Sequence, residues 1–503
     1  MEYQTKHGLL NMLEYFQLKL ALILTKLVLR YIINVSTYSR RIVMKIVNKK
    51  AENVKIAYIG GGSRGWAWGL MSDLAANEDM NGDVYLYDID FEAAQANEII
   101  GNRYNDCEGA RSKWSYKAVK TPKEAMTGAD FVVISILPGT FDEMESDVHT
   151  PEKYGIYQSV GDTTGPGGIV RAMRTIPMFE EIANYVKEYC PNAWVINYTN
   201  PMTLCVKTLY RVFPEIKAFG CCHEVFGTQR LLTWVVEEFL GKKATREEIK
   251  VNPVAVNHFT WLTSAEYEGI DLFPYYDKFC DKYADGLPAK PDNNWMNNFF
   301  ACAGKVTFDL FKRFGYISAA GDRHLAEFCP GKWYLESPER VKEMKFGLTP
   351  VSWRKEDLKN RLERSRKLLD GEEIKLCKTG EEGVNQMRAL LGLSDLITNV
   401  NIPNKGQIPN LPLGAVVETN AIFRTNELRP VLAGEIPTEI YPLVSKICSE
   451  QEAVSDAIAK RDIESIFNIF ASDPLVTCSI SEARKMFDEM VKNTKAYLTD
   501  YNI

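Results

Sequence analysis

Apolar positions along the chain fall into two kinds of run. Short continuous runs rich in β-branched and aromatic residues occur at VKIAYI (54–59), DVYLYD (83–88), FVVISI (131–136), WVINY (194–198) and KAFG (217–220). Such runs read as strands buried on both faces. Helical periodicity fills the intervals, first in WAWGLMSDLAANE after Gly65 and most clearly over 171–189. Strands alternating with helices predict a parallel, doubly wound sheet over residues 54–225. Residues 226–503 carry helical patterns at 226–240, 296–313, 355–370, 383–398, 446–467 and 480–497. They mark a second, C-terminal domain without a second nucleotide fingerprint. The Pro- and Asn-rich stretch 399–414 is expected to be an irregular, site-lining loop. Gly161–Gly168 is too rich in glycine for regular structure and reads as a loop. The charged stretch 354–376 reads as a solvated helical face, and NNWMNNFF (293–300) as core packing or a subunit contact. Residues 1–53 form an N-terminal extension. Its apolar part, 9–35, is interrupted by Glu14, Lys19, Lys26 and Arg30, too often for a spanning helix. It is either an amphipathic helix or the product of a start assigned ahead of Met44.

The first strand runs into Gly60-Gly61-Gly62-Ser63-Arg64-Gly65, which fits G-x-G-x-x-G and is followed by a helix. Gly60 permits the tight turn, Gly62 lets a pyrophosphate approach the backbone, and Gly65 lets helix and strand pack closely. The helix N-terminus, with Ser63 and Arg64 just before it, offers free N–H groups to phosphate. Asp88 ends the second strand some twenty residues later, the spacing of an acid that bonds the ribose hydroxyls. This points to a Rossmann-type domain that binds NAD rather than NADP, whose extra phosphate an acid repels.

Charge and composition narrow the partners. Sixty Lys and Arg against 66 Asp and Glu give a net charge of −6, with no clustered basic run, which argues against nucleic acid. With 46% hydrophobic and 25% charged residues the chain is an ordinary globular protein, with no membrane role expected. Eleven Cys, an odd number without zinc-ribbon spacing, fit reduced thiols in a cytoplasm.

Three segments follow strands at the end where such sheets bind ligands. They are Asn197-Tyr198-Thr199-Asn200-Pro201, Gly220-Cys221-Cys222-His223-Glu224 and Val256-Asn257-His258-Phe259, the last inside a strand-like stretch. Asn200 is also a natural N-cap ahead of Pro201. Cys222 and His258 could share a metal; each could equally be core filler. Three of the five His (His223, His258, His324) fall in these motifs or in AAGDRHLAEF (319–328), which favours chemistry over mere binding.

Taken together, Gly60–Gly65, Asn197–Pro201, GCCHE and VNHF resemble glycoside hydrolase family 4, from about Val54 to the C-terminus. The stretches YQSVGDTTGPGG (157–168), NYTNPM (197–202), GCCHEVFGTQ (220–229), AAGDRHLAEF and NLPLGAVVETNA (410–421) look most like its α-galacturonidase branch. The resemblance implies a C-terminal α+β domain of the lactate/malate dehydrogenase type for substrate and subunit contacts over 226–503, NAD and Mn²⁺ or another divalent metal as cofactors, and a homodimer or homotetramer. It implies that Cys222 and His258 match the metal ligands, that Asn200 holds the sugar near C2 and C3, and that His223 is the proton donor. The Tyr base of the 6-phosphoglycosidase members has no counterpart within 318–326. Tyr316, Asp322, His324 and a metal-activated water remain candidates. The implied route oxidises C3 with NAD, removes the C2 proton, eliminates the C1 leaving group, adds water and re-reduces C3. This departs from the usual two-carboxylate hydrolysis. For a uronide substrate, Arg323 is the candidate for the C6 carboxylate. Arg171 and Arg174, one turn apart, could face phosphate, substrate or solvent. The rival readings are an α-galactosidase or α-glucuronidase of the same family, a plain NAD-dependent dehydrogenase, and a protein that only binds NAD.

Overall fold

The computed structural model describes residues 44–288, 302–348 and 350–503. The predicted N-terminal helix and the 293–300 segment lie outside these residues. The main sheet is built on β2 (Lys50–Ile59), β3 (Met80–Tyr87), β4 (Trp114–Val119), β5 (Phe131–Ile134), β6 (Trp194–Asn197) and β7 (Lys217–Gly220). Its parallel part runs β4-β3-β2-β5-β6-β7, and the short β1 (Lys45–Val47) pairs antiparallel with β2. This is the 3-2-1-4-5-6 order of a dinucleotide-binding sheet, with its reversal between β2 and β5.

The strands form because both their faces are apolar. Val54, Ile56 and Tyr58 of β2 pack with Trp68, Met71 and Leu74 of the helix Trp66–Ala76. Ala57 and Ile59 face the opposite layer, with Phe179, Ile182 and Val186 of the helix Gly165–Tyr189. That helix starts earlier than its periodicity predicts. Gly165 to Gly168 form its first turn, so the irregular loop ends at Thr164. The glycines there are needed for close approach: a Cβ on Gly167 would lie 2.7 Å from the Asp147 carbonyl oxygen.

A second, four-stranded sheet contains β8 (Ile249–Val256), β9 (Phe259–Tyr267), β10 (Ile270–Asp271) and β11 (Ile317–Ser318). Asn257 and His258 occupy the tight turn between β8 and β9 rather than a strand.

Three expectations for the C-terminal half are corrected. The helix expected over 383–398 ends at Leu390, and Gly392 adopts a left-handed φ of 79° just beyond it. A strand, β12 (Leu396–Pro403), follows and includes the first part of the segment read as a loop. β12 pairs antiparallel with both β7 and β13 (Val416–Arg424), and β13 with β14 (Glu427–Pro430). The main sheet thus takes three strands from beyond residue 226. Alternation in LITNVNIP fits this role: Val400 and Ile402 join the apolar core while Asn399 turns to a buried polar network. The helix expected over 446–467 is two helices, Tyr441–Ala459 and Ile463–Phe470, with Arg461 at φ 56° between them.

All eleven cysteines are unpaired. No helix among the described residues is long and apolar enough to cross a membrane.

Candidate active site

The glycine loop is shaped as the sequence predicts. Gly60 (φ 93°) and Gly61 donate their N–H groups to the Tyr87 carbonyl, and a Cβ on Gly60 would overlap the Ser135 carbonyl oxygen. A Cβ on Gly62 would lie 2.7 Å from the Ala93 Cβ and 2.9 Å from an Asp88 carboxylate oxygen. Only glycine fits there. The Gly62 N–H donates to that carboxylate at 2.8 Å, which holds Asp88 beside the loop. Burial raises the Asp88 carboxyl, opposed by N–H donors from Asp90 and Gly62. Arg64 lies 4.0 Å from Asp90, and Ser63 precedes the helix N-terminus at Trp66. This bare backbone cradle with an acid at its rim fits a dinucleotide.

A polar cluster lies past the ends of β6 and β7. Asn200 follows β6. It is not an N-cap, because the helix begins at Met202 with Pro201 as its cap and no side-chain cap bond. Its Nδ2 donates to Asp162 at 3.2 Å, and its buried Oδ1 has no hydrogen-bond partner. The Asn200–Pro201 and Asn257–His258 peptides are both cis.

Cys222 follows β7 and is buried; burial pushes its thiol well up, opposed in part by the Glu224 backbone and the Asn257 side chain. His258, next to Asn257, is buried with Nδ1 3.2 Å from Thr163 Oγ1, and its ring lies against that of His324, tilted by 30° with 4.2 Å between centroids. Burial, with His324 beside it, lowers the His258 pKa to about 3, so its imidazole is neutral and able to ligate. Burial likewise lowers His324, whose Nδ1 is buried without a partner.

No group of three or more His, Cys, Asp or Glu among the described residues could hold a metal ion. Cys222 and His258 form instead a donor pair, beside which the Asn200 and Asn257 oxygens are buried without partners. It fits a divalent metal with two protein ligands and the rest from substrate or water. Glu418 lies beneath, accepting from Asn257 Nδ2, Thr260 Oγ1 and Asn399 Nδ2 at 3.2, 2.6 and 2.7 Å.

Two acids the sequence did not single out organise the cluster. Glu224 Oε1 lies 3.7 Å from His324 Nε2 and 3.8 Å from His223 Nε2, and its Oε2 accepts from the Gly321 N–H at 2.7 Å. Burial opposes its charge, but the three histidines and this N–H hold the carboxyl down at about 2. Asp162 is similarly kept ionised against burial by Arg171, His324 and His258. His223 is half-exposed, with Nδ1 2.9 Å from Glu381, and that contact raises its pKa despite burial. Both acids stand inside motifs already prominent in the chain, GDTTG and GCCHE.

Three predicted residues are placed elsewhere. Asp322 Oδ1 accepts from the Thr307 N–H and Oγ1, both at 3.0 Å, which ties it to the start of the helix Lys305–Phe314, while its Oδ2 is buried without a hydrogen-bond partner. Tyr316 packs against the apolar cluster that includes Trp261 and Phe328. Arg323 donates Nε to the Gly347 carbonyl at 3.0 Å and an NH group to the Ser159 carbonyl at 2.6 Å, so it braces backbone. Of the two helical arginines, Arg174 is sealed in an ion pair with Asp147, while Arg171 donates Nε to the Asn200 carbonyl at 3.2 Å.

The charged helix is not merely solvated. Val351–Leu369 lies over the glycine loop, where Arg361 donates to the Arg64 carbonyl at 3.0 Å. Between this helix and the loop is a cavity of about 380 Å³, walled by Gly65, Trp66, Tyr198, Arg354 and Glu381.

The family description "Family 4 glycosyl hydrolase" matches residues 55–238, and its C-terminal domain matches residues 254–476. An α-galacturonidase of Thermoanaerobacterium saccharolyticum is 60% identical over 92% of this chain and 100% of its own length. A crystal structure of a Bacillus subtilis protein described as a glucosidase superposes with a TM-score of 0.83 at 50% identity, covering 87% of this chain and 100% of that one. A 6-phospho-α-glucosidase from gut microorganisms, in complex with NAD and Mn²⁺, shares the fold at a TM-score of 0.73 and 21% identity, over 88% and 99% of the two chains.

Proposed function

This chain belongs to the family 4 glycosyl hydrolases, and we propose that it is an NAD- and Mn²⁺-dependent α-galacturonidase working by oxidation and elimination. The observation that carries the chemistry is the single cluster of Asn200, Cys222, His258 and His324 past the ends of β6 and β7, in the same sheet as a glycine cradle. A serial displacement by two carboxylates has no use for such a set. The Thermoanaerobacterium relative supports the galacturonide substrate, and the gut 6-phosphoglucosidase supports the cofactor pair.

Gly60, Gly62, Ser63, Arg64, Gly65 and Asp88 hold the dinucleotide, and Cys222 and His258 hold the metal. When bound, these cofactors supply a reversible hydride acceptor for C3 and a Lewis acid for the C2 and C3 oxygens. The Asn200 Oδ1 orients a sugar hydroxyl, which satisfies an acceptor otherwise buried without a partner. His324 removes the C2 proton. Glu224, ionised and close to Nε2, stabilises the imidazolium that forms. His223, whose pKa the Glu381 contact raises, gives its Nε2 proton to the departing C1 oxygen.

The test is incubation with NAD⁺, Mn²⁺ and α-linked digalacturonate in deuterated water. Galacturonate release with deuterium at C2 and no net NADH is expected. Net NADH without cleavage would replace this reading by a plain dehydrogenase. Cleavage of α-galactosides or α-glucuronides but not of the galacturonide would move the substrate within the family.

A further inference from the structure

A ligating imidazole has to present one chosen ring nitrogen. The neutral ring carries a single N–H, and the nitrogen that bears it is closed to a metal. His258 hydrogen-bonds through Nδ1, which lies 3.2 Å from the Thr163 hydroxyl oxygen. That contact alone does not fix the ring, because a hydroxyl can give a proton or take one.

The Thr163 hydroxyl has only one proton, however, and a nearer acceptor claims it. Oγ1 donates to Asp162 Oδ1 at 2.7 Å, and a hydrogen bond to a carboxylate outcompetes one to a neutral nitrogen. Asp162 offers no proton in return. Its Oδ2 accepts from Asn200 Nδ2 at 3.2 Å. Burial opposes its charge, but Arg171, with His324 and His258, holds its carboxyl well below the ordinary carboxylate range. With its proton spent on Asp162, Thr163 can only accept from His258. Nδ1 then carries the N–H, and Nε2 keeps its lone pair.

Thr163 is buried, and the chain is pinned on both sides of it. Ahead of it, Glu327 accepts from the Val160 and Gly161 N–H groups at 2.7 and 2.9 Å, and the Ser159 hydroxyl donates to the Arg323 carbonyl at 2.5 Å. Glu327 and Arg323 belong to the helix Asp322–Phe328, which also carries His324. Behind it, the first turn of the helix Gly165–Tyr189 comes so close that a Cβ on Gly168 would lie 2.5 Å from the Thr163 carbonyl carbon. The Gly165 N–H is tied to Asp473 at 3.0 Å. The hydroxyl therefore meets His258 from a backbone set in advance.

Resting on the reading above that His258 holds the metal, we propose that Thr163 is a positioning residue whose hydroxyl, oriented by Asp162, fixes the His258 N–H on Nδ1 and leaves Nε2 to the metal. Partners that hold the far nitrogen of a ligating histidine are worth about 10- to 100-fold in metal affinity.

The test compares the wild type with Thr163→Val, which removes the hydroxyl at nearly constant shape, and Thr163→Ser, which keeps it. The full chain is labelled with ¹⁵N at its five histidines and freed of metal. Magic-angle-spinning NMR at neutral pH then reads which nitrogen of each ring is protonated, the His258 signals being those lost in His258→Gln. The wild type and Thr163→Ser should show the Nδ1–H ring, and Thr163→Val should populate the Nε2–H ring. Mn²⁺ titration followed by electron paramagnetic resonance should give a Kd about 10- to 100-fold weaker for Thr163→Val, with Thr163→Ser restoring it. An Nε2–H ring in the wild type would overturn the proposal, as would a Thr163→Val protein that keeps the Nδ1–H ring or the wild-type Kd. Equal weakening in both variants would also overturn it, since the hydroxyl would not be the cause. If the wild type binds no Mn²⁺, the metal reading fails, and the ring protonation still decides whether Thr163 fixes His258.

Discussion

Replacing Asp147 with Asn should strip the buried Arg174 of its counter-charge, and the cost can be worked from the geometry. Both side chains are fully buried. The guanidinium meets the carboxylate at two points, one of 3.1 Å from NH1 to Oδ1 and a shorter one from NH2 to Oδ2, while Nε donates to the Pro138 carbonyl at 2.9 Å. The pair fastens the helix Phe141–His149 to Gly165–Tyr189, whose first turns carry Arg171 into the candidate site. Removing one partner of such a pair costs about 3–5 kcal/mol, because the other charge stays buried and uncompensated. Unfolding entropy runs at about 2 cal/mol/K per residue, so a cooperative unit of several hundred residues loses about 1 kcal/mol per degree. Asp147→Asn should therefore lower the melting temperature by about 3–5 °C in scanning calorimetry at neutral pH with reductant present. The double replacement Asp147→Leu with Arg174→Met removes both charges and should recover most of that loss, since an apolar pair of similar volume is often neutral or better. A single variant melting within about 1 °C of wild type would refute the claim that the pair is dry. A double variant as unstable as the single one would show that the orphaned charge is not the cause.

Gly62→Ala should weaken NAD⁺ binding, read by fluorescence titration, because its Cβ would press on Ala93 and Asp88; overpacking of this kind costs about 1–3 kcal/mol. Cys222→Ser, close to isosteric, should leave the fold intact but weaken Mn²⁺ binding at least about tenfold by electron paramagnetic resonance titration, since the thiolate is lost. Unchanged Mn²⁺ affinity would remove Cys222 from the ligand set. The carboxyls of Glu450 and Asp473 share a hydrogen bond, and Asp473 also accepts from the Gly165 N–H at 3.0 Å. Burial and then the Asp473 charge raise the Glu450 pKa above that of an unfolded carboxyl. The stabilisation is therefore complete below the ordinary carboxyl range and is lost as pH rises through the raised folded value. Thermal stability should fall on the alkaline side, and Glu450→Gln, which keeps a donor toward Asp473, should flatten that fall; an unchanged slope would dismiss the pair as its source.

What the sequence made legible follows from how far each signal reaches along the chain. The strands of the parallel sheet and the glycine loop are written locally, since a strand buried on both faces needs only a run such as VKIAYI, and a cradle needs only its glycines. β12 to β14 were hidden because an Asn-rich strand looks like a loop until its partners are known. Asn399 is tolerable in the sheet only because Glu418, on the neighbouring strand, accepts its Nδ2. Cys222 and His258, the proposed metal ligands, were singled out through their motifs, whereas the acids beside the histidines, Glu224 and Asp162, were not. Arg323 sits in the expected stretch, yet a charged group at a buried helix start is often consumed by nearby backbone, and here the Ser159 and Gly347 carbonyls take its donors. The helix Val351–Leu369 shows the opposite failure. A charged amphipathic helix reads as solvated because the sequence cannot show that one of its faces covers a phosphate-type loop. The two errors share a cause: side-chain chemistry is local, while its availability depends on which backbone groups the fold leaves unsatisfied beside it. The composition of a motif therefore points to a kind of chemistry, and the hydrogen bonds of the fold show which of its groups brace backbone, as Arg323 does, and which stay buried without a partner, as the His324 Nδ1 does.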